Sequence, residues 1–215
     1  MIEESPIQNP GAADWRYGYG EFDKAVSALK HLETLPHFTG EAWQGGDAWP
    51  DKKLGWLQLT AGGGHAGNDL QHAVVRRWIS PVAGSVSIEG TIRHEHSQGH
   101  GIRAYLHSNR HGLLGQWVLH NREAEAAVES VAVQPGDTID FVVSIHESLN
   151  SNDFLWAPLI RMTGPDAMRD ANGYAREWNA KRDFSGPPSP REAPLTPWEQ
   201  FAQALLLSNE FLFVD

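Results

Sequence analysis

The chain of 215 residues contains no cysteine. It therefore forms no disulfide and offers no thiolate that could act as a nucleophile or bind zinc, an iron–sulfur cluster or covalently attached haem. We predict no haem and no certain cofactor for these residues. The absence does not fix a compartment, because cysteine-free domains occur in all of them.

The sequence also lacks an excess of basic residues and any long apolar run. It has 17 Lys and Arg against 27 Asp and Glu, and its formal net charge is −10. Binding to a nucleic-acid backbone needs a basic surface, so we expect no nucleic-acid partner. We also expect no membrane span, because no apolar stretch is long enough for one. The polar N-terminus shows neither the basic nor the apolar region of a signal peptide.

Short segments of alternating apolar and polar residues recur along the chain. In Val86–Arg93 the residues Val86, Ile88 and Ile92 share one face, which is the period of a half-buried strand. About eight to ten such segments are separated by turn residues. The pattern predicts an all-β fold, an antiparallel β-sandwich of the jelly-roll type. The predicted strands cover 15–20, 54–60, 73–79, 86–93, 102–107, 113–120, 131–133, 139–146 and 154–162.

Composition divides the chain into four parts. These are a polar lead-in at 1–14, the β-sandwich module at 15–162, a linker at 163–195, and a C-terminal helix and tail at 196–215. Helical patterns are also predicted within 22–29 and 166–182, although Gly173 disfavours the second by about 1 kcal/mol. Thr196 and Glu199 form a capping box. The apolar face of that last helix must dock on the sandwich or on a neighbouring domain.

The most informative run is Ala61–Trp78, AGGGHAGNDLQHAVVRRW. Three glycines permit a close approach of the backbone, and they lead into His65, Asp69 and His72 before a strand begins at Ala73. That layout is typical of a functional loop held by a rigid strand. Glycine and Asn-Asp runs also serve ordinary crossings between strands. A ligand-binding or metal-binding loop and a purely structural turn are therefore both open.

Nine tryptophans are many for a chain of this length. Sugar recognition needs flat aromatic faces for the C–H surfaces and polar groups for the hydroxyls. The candidate glycan-binding residues are Trp43, Trp49, Trp56 and Trp117, with His65, Asp69, His72, Arg76 and Arg103 as polar partners. The alternative is that most tryptophans fill the core, for which Trp156 is the best candidate. Arg76 and Arg77 point to opposite faces of their strand, so one of them is expected to pair with an internal carboxylate.

Two metal sites are suggested by residue type. Glu21, Asp23 and Asp153 could offer hard oxygen ligands to a structural calcium ion, a prediction made by analogy with other sandwich modules. His65, Asp69 and His72 are residue types that bind zinc. Their spacing, however, matches no strict zinc-ligand pattern.

Four polar residues crowd one predicted loop, namely His94, Glu95, His96 and His100. Such a group can in principle perform general acid–base chemistry. Histidines on loops are more often solvated polar residues, so no catalytic residue is assigned.

Several runs carry a resemblance to a known family. They are WRYGYGEFD, LPHFTGEAWQGG, GGGHAGNDLQHAVVRRW, VQPGDTIDFVV, WAPLIR and the closing TPWEQFAQALLLSNEFLFVD. In them the chain resembles the C-terminal region of planctomycete-type cytochrome-c-associated proteins, a domain of unknown function with a carbohydrate-binding-like jelly-roll module. The resemblance implies an extracytoplasmic location, periplasmic or secreted, and a link to polysaccharide use. Full-length members carry a haem-binding Cys-x-x-Cys-His segment, so we expect this chain to be the C-terminal part of a larger protein.

Residues and resemblance together predict a non-catalytic carbohydrate-binding-like module of a larger exported protein, with a glycan or polysaccharide as partner. One alternative is a structural or interaction module that docks other domains of the parent protein through the C-terminal helix. A second alternative is a polysaccharide lyase or hydrolase that uses a face of His, Arg and Tyr side chains.

Overall fold

A computed structural model describes residues 14–165, 167–169, 172–187, 198 and 201–202. Within them the fold is all-β, as predicted, and every pairing between named strands is antiparallel. The strands are β1 (Trp15–Gly20), β2 (Phe22–Asp23), β3 (Ala28–Leu29), β4 (Glu33–Thr34), β5 (His37–Phe38), β6 (Ala42–Gln44), β7 (Gln58–Thr60), β8 (Gly63–His65), β9 (Ala73–Ile79), β10 (Gly84–Glu89), β11 (Thr91–His94), β12 (Ile102–Ser108), β13 (Gly112–Leu119), β14 (Arg122–Glu125), β15 (Val128–Val133), β16 (Thr138–Ile145), β17 (Asp153–Leu155), β18 (Leu159–Thr163) and β19 (Glu177–Asn179).

The strands form two layers around one main core. One layer is a six-stranded sheet in the order β13-β12-β16-β9-β1-β4. The other layer consists of two sheets, β15-β10-β18-β19 and β14-β11-β17-β8-β7-β6-β5. Buried apolar side chains from all three sheets join in a single cluster, which is consistent with the predicted β-sandwich. The finer jelly-roll topology stays a prediction.

The period-two pattern of the sequence decides which side chains enter that core. On β12, Ile102, Ala104 and Leu106 are buried in the main cluster, as predicted. Tyr105 points the other way and stacks on Phe22, with ring centroids 3.9 Å apart. Both faces of this sheet are therefore partly covered, one by the facing layer and one by the small β2–β3 hairpin.

That hairpin replaces the helix predicted within 22–29, and the prediction was wrong. Phe22 pairs with Leu29, and Asp23 pairs with Ala28. The Asp23 carboxylate accepts the Ala25 N–H at 2.8 Å, which is a local bond that starts a turn rather than a helix. Val26, expected on a buried helical face, is 69% exposed.

The strand pairing of the second layer is interrupted, and the interruption divides two segments that the sequence predicts as single strands. Gly90 separates β10 from β11, and the residues around Trp156 separate β17 from β18. A Cβ at Gly90 would lie 3.3 Å from Trp156 Nε1 and 3.5 Å from Pro158 Cα, so the chains cross closely here. Because Pro158 has no N–H to donate, the sheet ladder is interrupted at the same place. The Ala126 N–H bonds to Gly90 O at 2.8 Å instead.

The helix predicted over 166–182 is also wrong where the structure describes it. Residues Glu177–Asn179 form β19, which pairs with β18. Trp178 is buried and its indole N–H donates to Asp14 at 2.8 Å. Gly173 has a φ of +83°, which suits a turn and not a helix. The sheet therefore continues beyond the predicted module boundary at 162.

The predicted C-terminal helix over 196–215 lies outside the described residues except for three. Trp198, Phe201 and Ala202 are described, and each has helical backbone. Over the described part of the chain, no helix has both the length and the apolar character needed to cross a membrane.

Candidate functional site

One cleft gathers several of the predicted binding residues. It has a volume of about 560 Å³. Its lining residues are Trp49, Trp56, His65, Leu149, Asn150, Ser151 and Asp153. We call it the tryptophan cleft. Trp49 and Trp56 are 41% and 37% exposed, whereas most tryptophans of the described region are buried.

The two tryptophans are held by a tightly bonded loop in place of the strand predicted to begin at Leu54. Asp51 and Gly55 exchange backbone hydrogen bonds of 2.8 and 2.9 Å. The Asp51 carboxylate accepts the N–H groups of Lys53 and Leu54, and these bonds hold the pKa of Asp51 below its usual value. Gly55 has a φ of +62°, which favours glycine there. These bonds fix the shape of the loop that carries the two tryptophans.

The indole rings of this loop meet at a right angle. Their centroids are 4.9 Å apart and their planes are 85° apart. The Trp49 indole N–H donates to Trp56 O at 3.1 Å, and the Trp56 N–H donates to the Asn68 side chain at 3.3 Å. These bonds fix a corner with two aromatic walls, one wall from each ring.

His65 forms the inner wall of the corner. It is buried, and the Trp56 and Trp49 rings lie 5.6 and 5.9 Å from its imidazole. Its Nδ1–H donates to Ala66 O at 2.6 Å, because a carbonyl oxygen can only accept. This tautomer leaves Nε2 as a hydrogen-bond acceptor. Burial lowers the pKa of His65, so the neutral ring is favoured.

Asp153 supplies the charge of the cleft. It lies opposite His65 in the antiparallel pairing of β17 with β8. Its side chain is half exposed, and it accepts a hydrogen bond from His96 at 2.9 Å. The remaining capacity of the carboxylate is open to accept hydroxyl donors.

Two of the three glycines next to His65, Gly63 and Gly64, have a structural role, which is one of the two alternatives that the sequence left open. A Cβ at Gly63 would overlap the carbonyl of Phe154, and one at Gly64 would overlap the carbonyl of Gln58. Strand β8 lies between β7 and β17, and only glycine lets the three backbones come this close. Gly63 and Gly64 thus allow the close strand pairing that places His65.

Two of the predicted sugar-stacking tryptophans belong to the core. Trp43 is 3% exposed and its indole N–H donates to Ser185 O at 2.9 Å. Trp117 packs on the core against Trp156, with ring centroids 6.0 Å apart. Trp43 is therefore closed to a ligand, and Trp117 is partly buried and lies outside the tryptophan cleft. Trp156 is buried at 3% exposure, as predicted.

Arg76 is a core residue, so its assignment as a binding residue is wrong. Its guanidinium donates to Thr60 O at 2.6 Å and to Trp156 O at 3.0 Å. Burial lowers the pKa of Arg76 to about 10, so the group remains charged at neutral pH. The side chain joins the two layers where the strand pairing of the second one is interrupted.

Arg77, the neighbour of Arg76, forms the ion pair with an internal carboxylate that the sequence predicted. Arg77 points to the opposite face and donates two hydrogen bonds to Asp140, at 2.6 and 2.8 Å. Arg103 also lies on that outer face, where it donates to His146 Nδ1 at 2.8 Å. Arg103 is therefore separated from the tryptophan cleft by the sheet itself.

Asp69 and His72 form a local pair outside the cleft. His72 donates from Nδ1 to Asp69 at 2.7 Å and stacks on Tyr19 with ring centroids 5.9 Å apart. The same carboxylate accepts two backbone N–H groups, from Gln71 and His72. These bonds close a turn. The zinc set with His65 is therefore not assembled.

The predicted calcium ligands are also separated. Glu21 and Asp23 lie 2.7 and 3.7 Å from the ammonium group of Lys30, while Asp153 pairs with His96. Over the described residues, no group of three or more His, Cys, Asp or Glu side chains is placed to hold a metal ion. The three carboxylates do not form one site.

The polar residues of the His94–His100 loop bond to different partners, and His96 bonds to Asp153 of the tryptophan cleft. His94 is fully buried, donates from Nε2 to Ser151 O at 2.6 Å and accepts the Asn121 N–H at 3.1 Å. Glu95 lies 3.6 Å from Arg93, and His100 bonds to Ser148 at 2.7 Å. His94 instead ties the loop that carries Ser151 to the sheet, and so supports one wall of the cleft.

Sequence reasoning missed the wall made by Leu149, Asn150 and Ser151. The polar run SLNSND before β17 is a local signal for a turn. Its position opposite the loop of Trp49 and Trp56 depends on contacts between segments about a hundred residues apart in the chain. No local pattern shows such contacts.

A second and larger cleft, of about 840 Å³, has four arginines among its nine lining residues. We call it the arginine cleft. Its lining residues are Arg161, Met168, Arg169, Gly173, Tyr174, Ala175, Arg176, Glu177 and Arg182. Glu177 lies 3.3 Å from Arg161 and 2.8 Å from Arg182, so two of the four cations share one carboxylate.

No protein-family model and no curated protein matches the chain. Among solved structures, it is similar to the PA14 domain of the MpAFP antifreeze protein, with a TM-score of 0.39 and 10% sequence identity. That match covers 89% of this chain and 100% of the other. At this level it supports no conclusion about function. The resemblance to planctomycete-type cytochrome-c-associated proteins stays a prediction.

Proposed function

We propose that the chain is a non-catalytic carbohydrate-binding module and that its binding site is the tryptophan cleft. The observation that carries the proposal is the corner of two exposed indole rings beside a buried neutral histidine and a carboxylate. Indole faces attract the C–H surfaces of a sugar ring, and acceptors such as His65 Nε2 and Asp153 bind its hydroxyls.

The number of heavy atoms in one sugar residue sets the scale of the expected affinity. We take about −0.3 kcal/mol per heavy atom, the bound that applies to drug-sized ligands. One hexose has about 12 heavy atoms and therefore gains about −4 kcal/mol, which corresponds to a Kd of about 1 mM. Binding is therefore best measured by solution titration, because washing steps would remove so weak a ligand.

The proposal is tested with a panel of methyl glycosides and soluble polysaccharides, titrated against the chain while tryptophan fluorescence is recorded. We expect saturable binding of at least one glycan, and its loss when both Trp49 and Trp56 are replaced by alanine. Tyr174→Ala is the matched control, because Tyr174 is an exposed aromatic residue of the arginine cleft. Absence of binding by the folded wild type, or equal binding by the double variant, contradicts the proposal.

The resemblance of residues 15–162 to an exported sandwich module supports a second part of the proposal. The module would then serve an extracytoplasmic protein linked to polysaccharide use. Cell fractionation followed by detection of the native protein tests this location. Recovery of the protein in the cytoplasmic fraction contradicts it.

One observation favours an additional role in docking to other domains. Trp198 and Phe201 are 81% and 55% exposed, and their rings are 6.2 Å apart. Exposed apolar side chains of this size are typical of a contact surface. If residues 190–215 dock a partner domain, deleting them will remove partner binding and leave glycan binding intact. Unchanged partner binding after the deletion contradicts this role.

A further inference from the structure

The chemistry of the tryptophan cleft narrows the class of glycan that it can bind. Resting on the proposed function, we propose that the cleft binds a single terminal sugar residue that is uncharged and rich in hydroxyls. Acidic sugars and the interior of an extended chain are excluded. The inference depends on three properties of the cleft, which are the angle between its rings, its hydrogen-bonding groups and its charge.

The angle between the rings limits the cleft to one sugar residue. Two rings that stack on successive residues of one chain must both face that chain, so their planes have to be nearly parallel. Trp49 and Trp56 are instead perpendicular, with centroids only 4.9 Å apart. One ring can stack on the face of a sugar while the other meets its edge. Leu149 and Ser151 on the opposite side leave the end of a glycan as the part that fits.

The polar groups of the cleft are mainly acceptors. His65 Nε2 accepts because Nδ1 carries the proton, and the Asp153 carboxylate accepts by nature. The Ser151 hydroxyl donates to Asn150 Oδ1 at 3.2 Å, and the Trp49 indole N–H is bonded to Trp56 O. The donors left for a ligand are neutral, namely the Asn150 amide and the Trp56 indole. A ligand must therefore bring donors of its own, as sugar hydroxyls do.

The charge of the cleft acts against acidic sugars. Neither Lys nor Arg is among its lining residues. Lys52 and Lys53 belong to the same loop as the tryptophans, but they line no part of this cleft. A carboxylate or sulfate placed here would meet Asp153 without a lysine or arginine to pair with, and the neighbouring imidazole of His96 is already bonded to Asp153. Leaving such a group unpaired costs about 1–3 kcal/mol, which corresponds to about 5- to 150-fold in affinity.

The first test compares matched neutral and acidic sugars, with no variant needed. Methyl glucoside and methyl galactoside are titrated beside the corresponding methyl uronides and 6-sulfates. We expect each neutral sugar that binds to exceed its acidic partner by at least 10-fold in affinity. Equal or tighter binding of the acidic sugars overturns the inference but leaves the proposed function standing, provided that Trp56→Ala removes the binding.

The second test varies the length of the glycan. Oligosaccharides of one to six residues, of a linkage that ends in the bound sugar, are titrated in turn. We expect the affinity to level off by the second residue. A continued rise to the sixth residue shows a chain-binding groove and overturns the inference. If no glycan of any charge or length binds the folded chain, the proposed function and the inference fail together.

A pair of variants isolates the carboxylate. Asp153→Asn keeps the shape of the side chain and removes its charge, and we expect it to reduce the preference for neutral over acidic sugars several-fold. Glu129→Gln changes the net charge equally at an exposed site on β15 and should leave the preference unchanged. The melting temperature of Asp153→Asn must equal that of the wild type. If this variant then prefers neutral over acidic sugars as strongly as the wild type does, Asp153 is not the residue that rejects acidic sugars.

Discussion

The arginine cleft is larger than the tryptophan cleft, yet its binding groups are already engaged. Its cations pair within the protein: Arg161 and Arg182 share Glu177, and Arg176 lies over the Trp178 ring at 5.0 Å. In the tryptophan cleft, by contrast, the two indole rings make aromatic contacts only with each other and His65 and stay 41% and 37% exposed, and no hydrogen bond within the described residues engages Nε2 of His65. Volume is therefore a poorer guide to binding than the number of groups left unsatisfied.

The two clefts also differ in how they are supported. The tryptophan cleft is supported by paired strands, because β8, which carries His65, lies between β7 and β17. The loop that carries Trp49 and Trp56 is closed by the hydrogen bonds between Asp51 and Gly55. The arginine cleft is formed largely by the segment before β19, where the described residues contain one isolated bridge, between Arg169 and Ala175. A preorganised site loses less free energy on binding, which favours the tryptophan cleft as the binding site.

The largest expected effect concerns the support of the tryptophan cleft. In Gly64→Ala the added methyl group overlaps Gln58 O, so the β7–β8 pairing must shift. We expect a loss of about 3 kcal/mol or more in the free energy of unfolding, and loss of glycan binding. Gly62→Ala is the control, because nothing lies within 4 Å of a Cβ there. Urea denaturation compares the two, and equal stabilities would show that β8 does not need its glycines.

The next effect separates the aromatic residues of the two clefts. Removing the stacking face in Trp56→Ala should weaken the binding of a neutral sugar about 5- to 150-fold, because a stacking ring contributes about 1–3 kcal/mol. Tyr174→Ala in the arginine cleft should change it by less than about twofold. Isothermal titration with the best glycan of the panel measures both. Weaker binding by Tyr174→Ala than by Trp56→Ala would move the site to the arginine cleft.

A smaller effect is expected when the arginine cleft is freed of its own carboxylate. Glu177→Gln removes the carboxylate that Arg161 and Arg182 share, so that Arg161 keeps only Glu89 and Arg182 keeps only Asp183. The cost in stability is up to about 1 kcal/mol because the pairs are partly exposed. We expect the variant to bind a sulfated polymer such as dextran sulfate several-fold more tightly at low salt, and the gain to vanish at high salt. Glu129→Gln, which changes the net charge equally, should show no such gain. A gain of the same size in Glu129→Gln would mean that net charge alone controls polyanion binding.

The smallest effect is a response to pH that is confined to the tryptophan cleft. Burial lowers the pKa of His65 from 6.5, so the unfolded chain takes up its proton at a higher pH than the folded chain. Stability linked to His65 is therefore complete above pH 6.5 and falls as the pH drops towards the folded-state pKa. The groups that face this imidazole are Trp49, Trp56, Asp153 and His96.

Comparison with His65→Gln isolates this contribution. The difference in unfolding free energy between wild type and variant, measured by urea denaturation from pH 8 to pH 5, should become smaller as the pH falls. A difference that is constant or grows would show that the folded protein does not favour the neutral ring. No matching response is expected from the guanidinium groups of the arginine cleft, which stay charged over this range.

The strands were predictable because their signal is local. Predicted segments such as 73–79 and 102–107 agree with β9 and β12 to within one residue, because the alternation of apolar and polar residues is visible in adjacent positions of the sequence. The divided strands were not predictable in this way. The break at Gly90 arises from contact with Trp156 and Pro158, which are more than sixty residues away in the chain.

The site was predictable only in part, because it depends on contacts between residues that are distant in the chain. Trp43 and Trp49 both lie in a run rich in Gly and Trp, but only Trp49 is exposed. Trp43 is buried, and its indole N–H donates to Ser185, which lies 142 residues away in the chain. Alternation placed Arg76 and Arg77 on opposite faces, but it could not show which of them faces the core. Trp49, Trp56 and His65 were identified by residue type, whereas their convergence with Asp153 depends on the pairing of β8 with β17.

The most direct test of the account is an NMR titration of the nine tryptophan indole N–H signals in ¹⁵N-labelled protein. A neutral methyl glycoside is added up to about ten times the expected Kd of about 1 mM. Saturable shifts of the Trp49 and Trp56 signals, with the buried Trp15 and Trp78 signals unmoved, are the result that the account predicts. Unchanged Trp49 and Trp56 signals throughout the titration, or shifts centred on Trp178 beside the arginine cleft, would contradict it.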